Sequence, residues 1–282
     1  MQAILIADSG ATKCEWGLIT NGKKKSIVTK GISPYFLTEE DMFLLLQKEL
    51  LPKIKGIEVF KIFYYGTGLS NPENVLFVKR VLKKSFPKAT IEATHDMLAA
   101  ARSVCGDAKG IVNILGTGSN CCFYNGKKIT KNSPGLGYAL GDEGSGAYLG
   151  KKVIQHFLYN IFDEALQEKF IETFQTNRIQ ILESVYKKPY PNRYLAGFSI
   201  FLSQNRGHYI IENILEDSMN DFFQFHITQF KESFSNPIHF VGGAAFAFKD
   251  VLKSICDMYD LELGTIIKKP MKGLITYHSN VL

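Results

Sequence analysis

The residues best suited to chemistry in this chain stand at the ends of two apolar runs. Residues 3–13 read AILIADSGATK and residues 110–120 read GIVNILGTGSN. Each β-branched run stops at a turn that mixes glycine with hydroxyl residues: Ser9, Gly10 and Thr12 in the first, Gly116, Thr117, Gly118 and Ser119 in the second. Glycine has no Cβ, so backbone N–H groups and hydroxyls in such a turn can close on a phosphate chain. Either turn alone also fits an ordinary glycine or Asx hairpin. Two of them, each opening one half of the chain, point to phosphates gripped from two sides. Asp8 ends the first run as a carboxylate, which is costly to bury unless it holds a cation or backbone N–H groups. It is placed to hold Mg²⁺ through water, with Thr12 and Lys13 on phosphate oxygens.

Three further segments carry candidates. Asp96, in Thr94-His95-Asp96, follows a short strand and starts a helix. It is either an N-cap or a general base that orients and deprotonates an acceptor hydroxyl during phosphoryl transfer. Residues 135–146, GLGYALGDEGSG, form the densest glycine segment. Asp142 could cap the helix that follows, but a cap requires no such glycine density; a carboxylate flanked by glycines suits the hydroxyls of a sugar. Residues 241–245, VGGAA, end a strand and enter a helix. There Gly242, Gly243 and Ala244 leave room for a ribose and adenine, although tight helix–strand packing uses the same small residues.

Competing motifs fail on their own terms. GLITNGKK, residues 17–24, nearly spells a Walker A loop, but Lys24 stands where Ser or Thr is required and the segment lies between two strands. No complete G-x-G-x-x-G occurs, and protein-kinase signatures are missing. The five cysteines (Cys14, Cys105, Cys121, Cys122 and Cys256) show neither C-x-x-C nor framework spacing, which argues against a disulfide scaffold or a zinc or iron–sulfur site.

The elements that must position these residues follow from composition and punctuation. A chain of 282 residues with 45% hydrophobic and 21% charged residues is long enough for two soluble domains with their own cores. The net charge of +6 is spread over short lysine clusters such as Lys23–Lys25, which read as solvated faces rather than a nucleic-acid footprint; the mild bias suits an anionic nucleotide. No apolar stretch is long enough to span a bilayer, and the N-terminus runs straight into a strand broken early by Asp8, so a cytoplasmic location without membrane attachment is expected. Strands at 3–8, 14–19 and 24–30 make a meander; helices are expected at 39–51 (Thr38 as N-cap, Pro52 as stop), 72–86 and 96–104, with strands at 58–65 and 90–94. A second meander begins at Gly110, with Asn125–Gly126 as its hairpin turn, so the similarity of the halves covers three strands on each side. Residues 141–234 read as mostly helical. Strands follow at 237–241 and 263–267, helices at 251–259 and 271–280, and the domain boundary falls near 105–109.

Four segments together, Ala7–Lys13, Leu115–Asn120, Leu140–Gly146 and Val241–Ala244, resemble the sugar kinase/Hsp70/actin superfamily, and within it the N-acetylglucosamine kinase and BadF/BadG/BcrA/BcrD ATPase group. The Gly141-Asp142-Glu143-Gly144-Ser145 element is the most specific, since actin and Hsp70 lack it. The resemblance implies an α/β fold of two ribonuclease-H-like, actin-like ATPase domains with an interdomain cleft, the second enlarged by helices. Residues 1–106 would form the first domain and 107–270 the second, with a helix at 271–282 packing back on the first. It implies ATP and Mg²⁺ as cofactors, with Asp8, Ser9, Gly10, Thr12, Lys13, Gly116, Thr117, Gly118, Gly242, Gly243 and Ala244 around the nucleotide. Asp96 would be the base. Ser119, Asn120, Gly135, Leu136, Gly137 and Asp142 would line the sugar pocket, and the loop Gly31–Phe36, with Ser33 and Tyr35, would face it.

The implied activity is transfer of phosphate from ATP to an amino sugar, N-acetylglucosamine giving its 6-phosphate, by a cytoplasmic enzyme that can be a homodimer. Leu136 stands where the mammalian enzymes carry a tryptophan between two glycines, and their asparagine-containing loop is replaced by Gly31-Ile32-Ser33-Pro34-Tyr35. The chemistry therefore carries over better than the sugar, and N-acetylmuramic acid or glucosamine are alternatives. A second reading is an ATPase activator of a 2-hydroxyacyl-CoA dehydratase or benzoyl-CoA reductase, for which adjacent Cys121 and Cys122 are poorly placed. A third is a nucleotide-regulated scaffold without turnover, against which the base, metal and phosphate candidates speak.

Overall fold

The run Ala3–Ala7 lacks polar alternation, the pattern of a strand covered on both faces. It lies in β1 (Gln2–Ser9), the central strand of a five-stranded sheet. The structure, a computed structural model, describes residues 2–10, 13–35 and 37–279. Two compact units divide the chain: Met1–Asp107 with Pro270–Leu282, and Ala108–Lys269.

In the first unit β1 pairs antiparallel with β2 (Lys13–Thr20), and β2 with β3 (Lys23–Lys30). On its other side β1 runs parallel to β4 (Glu58–Gly66), and β4 to β5 (Thr90–His95). Neighbouring side chains of a strand point to opposite faces. Ala3, Leu5 and Ala7 accordingly share one core with Met42 of α1 (Glu39–Leu45) and Val78 and Leu82 of α2 (Pro72–Ser85). Ile4 and Ile6 share another with Ala99 of α3 (Asp96–Cys105) and Leu274 of α13 (Met271–Ser279). Each Leu or Ile withdrawn from water in this way contributes roughly 1.5–3 kcal/mol.

Thr38 caps α1 as expected, in a capping box with Asp41 worth about 1 kcal/mol. The expected helix over 39–51 is regular only to Leu45. It widens to a π turn at Leu46–Leu50 and tightens to a 3₁₀ turn at Leu51–Ile54. Pro52 does not stop it, because at the start of a new helical turn its missing N–H has no bond to make.

The second unit repeats the sheet. β6 (Lys109–Leu115), β7 (Ser119–Asn125) and β8 (Ile129–Asn132) form an antiparallel meander. β9 (Ile238–Val241) and then β10 (Leu263–Ile267) lie parallel to β6 on its other side. The strand orders β3-β2-β1-β4-β5 and β8-β7-β6-β9-β10 are the same. Between β8 and β9 run α4 (Gly137–Leu140), α5 (Gly146–Leu158), α6 (Glu164–Phe174), α7 (Arg178–Tyr186), α8 (Pro191–Gly197), α9 (Ile200–Gln204) and α10 (Tyr209–Phe225). Between β9 and β10 run α11 (Gly243–Ala247) and α12 (Lys249–Met258). Phenylalanines fuse the added helices into the core: Phe157 stacks on Phe170 at 3.9 Å between centroids, and Phe198 and Phe201 close around them. Such pairs add about 1 kcal/mol beyond their buried area.

Candidate active site

The turn between β6 and β7 is held from behind by the start of α5. Gly146 N–H donates to Gly116 O at 2.8 Å and Ala147 N–H to Thr117 O at 3.0 Å. Ser145 caps this helix, its Oγ accepting from Tyr148 N–H at 3.2 Å. Asp142 is thereby excluded as the cap. It adopts φ +58°, a left-handed conformation uncommon for a residue with a Cβ, and turns its carboxylate to the β6–β7 turn. Oδ1 accepts from Ser119 N–H at 3.2 Å. A Cβ on Gly118 would stand 2.9 Å from Asp142 Oδ2, so a larger residue here makes the carboxylate shift. Burial raises the Asp142 carboxyl above its ordinary range and neighbouring Glu143 adds to this, while the Ser119 N–H and the charges of Lys151 and His226 oppose it.

Ser119 Oγ is buried without a hydrogen-bond partner. A buried hydroxyl with no protein partner is uncommon and is available to a polar group of a ligand. Asn120 Oδ1 accepts from Cys121 N–H at 2.8 Å. Gly135, Leu136 and Gly137 form an exposed turn into α4.

The same β6–β7 turn lines a cavity of about 470 Å³, within the size range of small-molecule sites. Gly116 and Thr117 face it from one side and Gly243 and Ala244 of α11 from another. Two loops far apart in sequence thus meet at one cavity. Gly242 makes this possible: at φ +138° a Cβ there would lie 2.1 Å from Leu115 O. The rest of the wall is Ala196, Ser199, Ile200 and Ser203 from the α8–α9 region, with Ala247 and Phe248. These wall residues were missed by motif reasoning, because small residues on short helices carry no sequence signature.

In the first unit Asp8 is partly exposed at the end of β1. A partly exposed carboxylate matches the habit of Mg²⁺, which keeps several waters and takes one or two protein oxygens. Among the described residues no group of three or more His, Cys, Asp or Glu side chains could hold a metal ion by itself. Gly10 N–H donates to Lys13 O at 3.0 Å, matching the Gly116 N–H to Gly118 O bond of the second unit, also 3.0 Å. Ser9 is buried; its Oγ donates to Ile32 O at 2.9 Å and accepts from Ile32 N–H at 3.1 Å. Its hydroxyl therefore fastens the segment 31–33, so a nucleotide contact from Ser9 would have to come from backbone. Lys13 and Tyr35 are exposed and Ser33 is buried. Thr12 and Phe36, named above as candidates, lie outside the described residues.

Asp96 is the first residue of α3, directly after β5, with His95 rather than Asp96 in the N-cap position. Its Oδ1 accepts from Met97 N–H at 2.9 Å. Burial raises its carboxyl above the ordinary range, against the opposing pull of His95 and backbone N–H groups. A carboxylate raised in this way is a stronger proton acceptor.

A ribonuclease-H-like sheet present twice, each copy with a glycine–hydroxyl turn after its first strand, defines an actin-like ATPase and sugar kinase fold. No protein-family model matches the chain. The crystal structure of a protein from Porphyromonas gingivalis, provisionally described as an N-acetylglucosamine kinase, is 39% identical and has a TM-score of 0.92 over 98% of this chain and 99% of that one. A similarly described protein from Chromobacterium violaceum shares the fold, with a TM-score of 0.72 at 16% identity over 98% and 99% of the two chains. The N-acetylmuramic acid/N-acetylglucosamine kinase of Clostridium acetobutylicum is 26% identical over 179 residues, which span 61% of this chain and 58% of that protein. The chain belongs to the N-acetylglucosamine kinase family.

Proposed function

We propose that this protein transfers the γ-phosphoryl group of ATP to a hydroxyl of an amino sugar, N-acetylglucosamine giving its 6-phosphate. One observation carries the reading: the Asp142 carboxylate is bonded to the same turn whose Gly116 and Thr117 line the cavity shared with Gly243 and Ala244. A group suited to sugar hydroxyls and a group suited to phosphates are thereby parts of one rigid element.

Gly116, Thr117 and Gly118 receive the phosphates, and Gly242, Gly243 and Ala244 pass beside the nucleoside. Asp142, with Ser119, Asn120 and the turn Gly135–Gly137, orients the sugar, and Ser33 and Tyr35 contribute to the same task. Asp96 accepts the proton of the attacking hydroxyl as its oxygen bonds to phosphorus and the bond to the ADP oxygen breaks. Asp8 would hold Mg²⁺ through water, which would supply charge neutralisation on the phosphates, and Gly10, Thr12 and Lys13 would surround them. The two compact units serve as the two domains of the enzyme, joined near residue 107. It acts in the cytoplasm, where ATP is at hand, and as a homodimer, which light scattering checks.

An electron-transferring ATPase activator fits less well. Cys14, Cys121, Cys122 and Cys256 are buried. Burial pushes the Cys256 thiol up to about 12 and raises that of Cys121 well above its ordinary value, so neither supplies a thiolate.

The test is ADP release measured with N-acetylglucosamine, N-acetylmuramic acid, glucosamine and glucose as acceptors. The expected result is release that depends on N-acetylglucosamine, with the 6-phosphate identified by NMR. ADP release that no sugar stimulates would sink the proposal.

A further inference from the structure

The segment Ser133–Glu143 is fastened at both ends to one histidine. His226 stands at the end of α10 and is buried. Its Nδ1 lies 2.6 Å from Ser133 Oγ and its Nε2 2.9 Å from Glu143 Oε2. Ser133 comes two residues before Gly135, and Glu143 directly follows Asp142. With Nε2–H donating to the carboxylate, Nδ1 accepts from the Ser133 O–H, so both ring nitrogens are engaged. Phe222 holds the ring at 4.9 Å between centroids.

The middle of the segment contrasts with its ends. Gly135–Gly137 and Leu140 are exposed, Leu140 at 78%. Ser133 N–H donates to Cys121 O at 2.8 Å, which ties the near end to β7. Gly141 packs on the Glu143 carboxylate at the far end, where a Cβ would stand 3.4 Å from Oε2. A chain of serine, histidine and glutamate also occurs in hydrolases. Here Ser133 is only 6% exposed, which leaves no approach for a substrate carbonyl.

We propose that His226 is a positioning residue for the sugar acceptor: by clasping Ser133 and Glu143 it sets the separation between the Gly135–Gly137 turn and the Asp142 carboxylate. The clasp rests on the reading of these residues as the sugar site. A buried network of this kind orders the groups attached to it, and losing His226 leaves its partners unsatisfied.

The experiment pairs steady-state kinetics with amide hydrogen exchange on the intact protein. His226→Ala is expected to raise the KM for N-acetylglucosamine by about tenfold or more, the scale of one lost buried hydrogen-bond network, while the KM for ATP stays within about twofold. Exchange over 133–143 should quicken. His226→Gln, which keeps a donor towards Glu143, should recover part of the affinity, and Ser133→Ala, which removes only one half of the clasp, should show an intermediate KM. Should His226→Ala misfold, Ser133→Ala and His226→Gln carry the comparison. An unchanged sugar KM in the variants, or an equal rise in both KM values, overturns the proposal. If the wild-type protein turns over no sugar, the kinase reading fails instead; exchange over 133–143 that stays as in wild type in the variants then overturns the clasp itself.

Discussion

The backbone N–H of Ser119 donates to Asp142 Oδ1 at 3.2 Å, and the bare α-carbon of Gly118 is what lets that carboxylate approach. This contact joins the β6–β7 turn to the Gly-Asp-Glu-Gly-Ser segment. Gly118→Ala puts a methyl 2.9 Å from Oδ2, too close for the carboxylate to stay where it is. We expect its KM for the sugar to rise about 10- to 100-fold, the effect of losing one charged hydrogen bond of about 1.5–3 kcal/mol. Asp142→Asn should act in the same direction. Sugar titrations at saturating ATP decide it; an unchanged KM in both variants removes Asp142 from the sugar site.

Asp96→Asn removes the proton acceptor while keeping the side chain's shape. Turnover should fall by about 10²–10⁴, as for loss of a general base, with ATP affinity nearly unchanged by calorimetry. Because burial raises the Asp96 carboxyl, wild-type turnover should fall as pH drops through that raised value, since the protonated acid cannot accept. The sign for stability is opposite. A carboxyl raised in the folded state favours folding fully below its unfolded value of about 3.9 and loses that contribution as pH climbs through the folded value. Asp96→Asn should therefore melt above wild type at neutral pH, with the gain vanishing near pH ~4. A variant that is both active and no more stable contradicts the assignment.

Gly242→Ala tests the close approach of β9 to β6. A methyl at 2.1 Å from Leu115 O, on a residue at φ +138°, cannot be accommodated without moving backbone. A loss of at least about 2 kcal/mol of stability is expected from strain and displacement together. Where the variant still folds, nucleotide affinity should weaken because the cavity wall at Gly243 moves. Chemical denaturation and ATP titration report the two effects separately.

His278 should make the first unit acid-sensitive. Its ring stacks on Phe63 at 3.7 Å between centroids, and its Nε2 lies 2.7 Å from Tyr65 Oη. Tyr65 Oη also accepts from Arg102 at 2.7 Å. Burial, helped by the positive charges of Arg102 and Lys61, pushes His278 down to about 3. The unfolded chain binds that proton near pH ~6.5, so stability falls as pH drops from there towards the folded value, by up to about 1.4 kcal/mol per pH unit. His278→Gln should flatten this slope. Trp16, the single tryptophan, is buried in the same unit with Nε1 donating to Thr29 at 3.0 Å, so its fluorescence follows that unfolding. An identical slope in wild type and variant would refute the account.

The sequence by itself determined what depends on local chemistry. Unbroken β-branched runs require strands covered on both faces, and glycine–hydroxyl turns permit close backbone approach. The meander written twice foretold two copies of one sheet, and the repeated strand order bears that out. Thr38 as a cap was equally legible, because capping is a contact between neighbours in sequence. Pro52 was misread as a stop, since one residue cannot show whether a new turn begins at it.

Only the tertiary structure decided the contacts between distant segments. Asp142 turned out to bind the β6–β7 turn while Ser145 capped the helix. Ser9 spends its hydroxyl on Ile32. The cavity wall from α8 and α9, and the His226 bridge between Ser133 and Glu143, carry no motif at all. The physical reason is common to them: a hydrogen bond or a van der Waals wall depends on distance in space, and residues 93 positions apart, such as Ser133 and His226, become neighbours only when the core around them closes.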